Sequence, residues 1–155
     1  MPDRGTLSRR EMLAVAAGAG LTAFVRIEPA VATPASMKAA IRSVVGEAPV
    51  KQGKVKLEVP PLVENGNTVA LAVEVDSPMT QTSYVKAIHV FNELNPQPNV
   101  ISVRIGPRAG RARISTRFRL ADTQTVVAIA EMNDGTFWEG KADVVVTLQA
   151  CLETL

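Results

Sequence analysis

Cysteine is nearly absent: the 155 residues hold one, Cys151, in the closing stretch LQACLETL. A single thiol cannot close an internal disulfide, so a cystine framework is excluded. Histidine is as scarce, with His89 alone. A structural zinc site needs about four Cys or His ligands, and a blue-copper site on a β-sandwich needs two histidines beside its cysteine. The chain supplies neither set, and no cofactor is expected. No G-x-S-x-G occurs, no glycine run has the spacing that cradles phosphate, and a Ser or Cys nucleophile would have only His89 as its base. A net charge of +2 with scattered basic residues gives no footprint for nucleic acid. Aromatic residues make up 4% of the chain, and its 46% apolar content is mainly Ala and Val. That content is too high for a disordered chain.

What is present begins with a targeting pattern. Ser8-Arg9-Arg10-Glu11-Met12-Leu13 sets paired arginines before LAVAAGAGLTAFV, and Ala30-Val31-Ala32 follows as a small-x-small cleavage site. The arginine pair resembles the twin-arginine signal. The apolar run has 13 residues, against the roughly 20 that span a membrane. Residues 1–32 therefore read as an export signal of twin-arginine type. Residues 33–155 read as one domain, released to the periplasm and free of the membrane after cleavage. Four Lys/Arg and three Asp/Glu fall in the signal, so the remainder carries 13 basic and 12 acidic residues.

The remainder opens with one helix. Pro34 suits a first turn; Met37, Ile41, Val44 and Val45 recur at helical spacing; Gly46 and Pro49 supply the stop. This predicts a helix over Ala35–Val45. Strand patterns then follow one another, separated by turn chemistry. They cover Lys54–Val59, Thr68–Val75, Tyr84–Leu94, Val100–Ile105, Arg111–Leu120, Thr125–Met132, Thr136–Ala142 and Asp143–Leu148. Glu64–Asn67 (ENGN) and Asn133–Gly135 (NDG) are turn signals in which Asn and Gly tolerate positive φ. No strand–helix–strand rhythm appears, so a parallel sheet is not expected. The pattern implies an all-β fold: an immunoglobulin-like antiparallel β-sandwich preceded by one short N-terminal helix.

Few residues in this frame carry chemistry. His89 sits mid-strand in AIHVF and reads as a structural or interface histidine. Glu131 and Asp134 are close in sequence, but the first belongs to a solvated strand face and the second to a turn. Arg113, Ser115, Arg117 and Arg119 share one face of a strand. They form either a solvated, edge-protecting face or an interface for an acidic partner or anionic group. Cys151 lies beyond the last strand, where an exposed thiol can enter another protein's cleft and be activated by positive charge there. Packing of an incidental cysteine at the tail is the alternative.

ENGNTVALAVEVDSPMT (Glu64–Thr80), YVKAIHVFNELNPQPNV (Tyr84–Val100), ISTRFRLADTQTVVAIAEMNDGTFW (Ile114–Trp138) and the C-terminal cysteine together resemble the SoxY family. These are carrier subunits of thiosulfate oxidation, and the resemblance runs over nearly all of residues 33–155. It implies a periplasmic protein that pairs with a small β-protein, SoxZ, and carries sulfur intermediates covalently on Cys151 through a sulfur–sulfur bond. A c-type cytochrome complex would conjugate thiosulfate to the thiol and a separate hydrolase would release sulfate, so the carrier itself is not an enzyme. The family's cysteine lies in a Gly-Gly-Cys-Gly-Gly tail, whose missing side chains let it thread a narrow channel. Here the tail reads Gln149-Ala150-Cys151-Leu152-Glu153-Thr154-Leu155, with no glycine. Glu153 would also disfavour the thiolate. Three readings stay open at this point: a carrier of divergent type, a SoxY-like subunit whose carrier step is lost or altered, and an exported β-sandwich binding module.

Overall fold

The structure, a computed structural model, describes residues 32–148. Residues 1–31 of the expected export signal and residues 149–155 with Cys151 lie outside the described residues. Thr33 starts helix α1 (Pro34–Val45) through a capping box: its Oγ1 accepts from Ser36 N–H at 3.1 Å, and Ser36 Oγ accepts from Thr33 N–H at 2.7 Å. Gly46 ends the helix at φ +61, its N–H donating to the Arg42 carbonyl at 2.8 Å.

Among the described residues nine strands follow: β1 (Val50–Gln52), β2 (Val55–Glu58), β3 (Leu62–Val63), β4 (Val69–Val75), β5 (Val85–Asn92), β6 (Asn99–Arg104), β7 (Ala112–Phe118), β8 (Gln124–Met132) and β9 (Phe137–Val146). They form a six-stranded sheet of order β1-β9-β8-β5-β6, with β3 also on β9, and a three-stranded sheet of order β2-β4-β7. The two sheets make the immunoglobulin-like sandwich. Strand β4 alternates as its sequence does, with Val69, Leu71, Val73 and Val75 buried in the space between the sheets. Strand β8 is buried nearly throughout because both of its faces are covered. Val126, Ala128, Ala130 and Met132 join the sandwich core, while Val127 and Ile129 pack with Phe91, Phe137 and Met37 beneath α1. The helix is thus a lid on the outer face of the larger sheet, held by Ala40, Ile41 and Val44. No helix among the described residues is long and apolar enough to cross a membrane.

Three expectations need correction. The two strands expected over Thr136–Ala142 and Asp143–Leu148 are one ten-residue strand, β9. Gly140 lies within it: a Cβ at that position would lie 2.8 Å from the Val55 carbonyl oxygen, so the glycine lets β2 and β9 cross closely. Second, β1 and β3 escaped the pattern, being three and two residues long. Third, both pair parallel to β9, through Val50↔Phe137 and Leu62↔Val145, so the larger sheet is mixed. In the Asn133–Gly135 turn only Gly135 takes positive φ, at +79. Asp134 closes it, accepting from Thr136 N–H at 2.9 Å and Thr136 Oγ1 at 2.7 Å.

Candidate functional site

The route toward Cys151 is held to the body up to its last described residue. Val145 N–H donates to the Pro61 carbonyl at 2.9 Å, Val146 N–H to Thr123 Oγ1 at 3.0 Å and Thr147 N–H to the Val63 carbonyl at 3.0 Å. The Leu148 carbonyl then accepts from Gly66 N–H at 2.8 Å, and the Gly66 carbonyl accepts from Leu120 N–H at 2.8 Å. The ENGN turn is therefore a clasp joining the end of β9 to the end of β7. Asn65 shapes the clasp by accepting from Asn67 N–H at 2.9 Å. Three residues beyond Leu148, Cys151 reaches at most about 10–11 Å from that anchor. Any group that meets the thiol must therefore come to this end of the sandwich.

The basic residues of β7 face away from the core, as their alternation implies. They are not equivalent. Arg113 stands in register with Glu74, donating from Nη1 to Oε2 at 2.8 Å, and its Nη2 lies 3.6 Å from Glu58 Oε2. Glu58 also pairs with Lys56 at 2.7 Å, and that hydrogen bond and charge hold its carboxyl below the usual range. Two acids and two bases make this patch neutral. Arg117 and Arg119 have no ion pair among the described residues. Arg119 lies just past β7, where its carbonyl accepts from Asn95 Nδ2 at 2.7 Å.

Arg117 and Arg119 border a groove of about 500 Å³ between the edge strands β6 and β7, where the two sheets part. Val100, Ile101 and Phe118 form its apolar wall and Asn92 its floor. Asn92 and Gln124 are the two buried polar side chains among the described residues, 0% and 5% exposed, and they differ sharply. Gln124 accepts from Glu93 and Leu94 N–H at 3.1 and 2.8 Å, and donates to Asn95 Oδ1 and the Asp122 carbonyl, both at 3.1 Å. Neither amide atom of Asn92 has a partner among the described residues. The groove joins segments distant in sequence, so nothing in the sequence marked it beyond a polar residue inside the apolar run AIHVFN.

His89 is half-buried on β5, its Nδ1 in hydrogen-bond contact with Ser102 Oγ at 2.9 Å and its ring stacked 6.4 Å from Phe91. Burial pushes its pKa down, opposed by Glu131. Glu131 pairs with Lys86, and hydrogen bonds from Thr136 hold the Asp134 carboxyl low. Among the described residues the Nε2 of His89 has no partner, while Glu131 and Asp134 are engaged within their strand pair and turn. No three His, Cys, Asp or Glu residues gather in a metal-binding group among the described residues.

Residues 41–151 match the family model of the sulfur oxidation protein SoxY, a span that closes on Cys151. Among solved structures, the sulfur carrier protein SoxY from Chlorobium limicola f thiosulfatophilum is similar with a TM-score of 0.62 and 25% identity, covering 74% of this chain and 98% of that one. Superoxide reductases share the sandwich. The neelaredoxin of Ignicoccus hospitalis gives 0.54 at 16% identity over 75% of this chain and 94% of its own. The enzyme of Nanoarchaeum equitans gives 0.52 at 10% over 62% and 100%. At those identities the likeness is one of fold alone. No curated protein sequence matches the chain.

Proposed function

The chain belongs to the SoxY family of sulfur oxidation proteins, and from this we propose that it is a periplasmic carrier subunit holding a sulfur intermediate covalently on Cys151. The observation that carries the proposal is the extent of the family match: it runs through both sheets and ends on the one thiol of the chain. The anchored end of β9 supports it, because a thiol three residues past a fixed clasp is presented at a defined edge of a rigid body.

Loading is a two-electron oxidation. The Cys151 thiolate and the terminal sulfur of thiosulfate form one S–S bond, and the two electrons pass to a cytochrome of the system. Water then attacks the sulfonate sulfur in a hydrolase, releasing sulfate and two protons and leaving a persulfide on Cys151. The carrier contributes position, not catalysis. A SoxZ-like β-protein completes the complex, with Arg117 and Arg119, which have no ion pair among the described residues, as the charges for an acidic contact and Arg113 held by its own carboxylates. In a host carrying Cys151→Ser, thiosulfate should no longer reduce the cytochrome pool although the protein accumulates normally. Undiminished reduction would refute the carrier role and leave a subunit that only binds its partner.

A further inference from the structure

The groove between β6 and β7 offers a set of groups that point to one class of ligand. Asn92 presents an unpaired donor and an unpaired acceptor from one buried amide, which matches the N–H and C=O of a peptide group. β6 and β7 each end their sheet, so each has one edge without a strand neighbour among the described residues. Val100, Ile101 and Phe118 form an apolar wall, and Arg117 and Arg119 supply positive charge at the rim. An extended peptide with an apolar residue next to an acidic one satisfies all of these.

We infer that the groove is the docking site of this chain's own tail, residues 149–155, with Leu152 against the Ile101–Phe118 wall and Glu153 at Arg117 and Arg119. The place where the tail leaves the body argues for this occupant. Leu148 bonds Gly66 and Gly66 bonds Leu120, the residue after Arg119. Seven residues extend up to about 23–25 Å, as long as the groove-lining strand β7. Successive side chains of an extended chain alternate in direction, so Leu152 and Glu153 would meet the wall and the rim respectively. The inference rests on Cys151 being the carrying thiol. It gives the glycine-free tail a purpose: the arm parks its thiol against the body, and a partner that engages Arg117 and Arg119 frees it.

The test is the alkylation rate of Cys151 by iodoacetamide, a neutral reagent, on the chain from Thr33 to Leu155 alone in solution. Rates are read by intact mass at the high-pH plateau, where ionisation of the thiol no longer contributes. The free peptide 149–155 is the reference. The chain should react at least about tenfold more slowly than the peptide, which corresponds to docking by about 1.4 kcal/mol. Glu153→Lys, or Arg117→Glu with Arg119→Glu, should restore the peptide's rate, and combining all three should bring back protection. The side-chain amide resonance of Asn92 should shift with Glu153→Lys. Reaction of the unaltered chain at the peptide's rate would overturn the inference. So would charge variants without effect, or an unmoved Asn92 resonance, which would mean that the groove holds ordered water only. Protection that appears only on adding a second protein would overturn it in favour of a partner's segment. None of these readouts depends on sulfur loading, so failure here leaves the carrier proposal standing.

Discussion

In a chain whose tail is undocked by Glu153→Lys, replacing Asn92 by leucine should make the protein more stable, which is unusual for a buried asparagine. The side chain is 0% exposed, and neither amide atom has a partner among the described residues. Leaving a buried polar group unpaired costs about 1–3 kcal/mol, and leucine has the same branched side-chain skeleton with bulkier ends. Shape mismatch takes back up to about 1 kcal/mol, so a net gain of roughly 1–2 kcal/mol is expected. Urea unfolding of a chain carrying Glu153→Lys and Cys151→Ser, the second of which removes intermolecular disulfides, is the assay. With a slope of about 1–3 kcal/mol/M for a domain of this size, the midpoint should rise by about 0.3–2 M at unchanged slope. Gln124→Leu is the control, since it strips partners from the Glu93 and Leu94 N–H groups and should destabilise by about 2–4 kcal/mol. The gain at Asn92 should shrink when Glu153 is restored, because the docked tail then supplies the amide's partner. A lower midpoint for Asn92→Leu would refute the reasoning: it would mean that a water already satisfies the amide and that the groove asks for nothing.

Three further outcomes follow from the fold. Gly140→Ala places a Cβ 2.8 Å from the Val55 carbonyl oxygen and 3.0 Å from its Cγ1. The backbone oxygen cannot swing aside, so the loss should exceed the roughly 0.4–1 kcal/mol gained by stiffening the unfolded chain, a net cost of about 1–2 kcal/mol by urea unfolding; a neutral result would place β2 further from β9. His89 has its pKa lowered by burial from about 6.5. The unfolded chain therefore takes up a proton that the fold refuses, and stability should fall as pH drops below about 6.5 toward the folded value. His89→Gln should flatten that slope, and an unchanged slope would remove the residue from the account. Arg113→Met should change stability by less than about 1 kcal/mol, because its pairs are exposed. It should weaken pairing with a SoxZ-like partner far less than Arg117→Glu with Arg119→Glu, as titration calorimetry would read; equal weakening would return Arg113 to the interface.

The sandwich was legible wherever one rule governed a segment. β4 has one buried face and one wet one, and its alternation shows which is which. The capping box and Gly46 bracket α1 within one residue of the expected start. The reading failed where tertiary contact overruled local pattern. The boundary expected between Ala142 and Asp143 is absent, because β9 runs through it unbroken, and the close approach of β2 at Gly140 is visible only once Val55 is beside it. β1 and β3 are too short for alternation to register, and their parallel pairing depends on β9 passing between distant segments. At the candidate site, the sequence offered Cys151 and the face with Arg113, Arg117 and Arg119. It could not separate Arg113, neutralised by Glu58 and Glu74 from other strands, from its two neighbours. Nor could it foresee the groove, whose wall and floor come from β5, β6 and β7.

The central claim is that Cys151 carries sulfur, and intact-mass spectrometry tests it most directly. Protein purified without reductant from a thiosulfate-grown native host should carry a mass increment equal to a bound S–SO₃ group or one sulfur atom. Dithiothreitol should remove that increment, and Cys151→Ser should never acquire it. A thiol that stays free and unmodified throughout thiosulfate turnover would contradict the account.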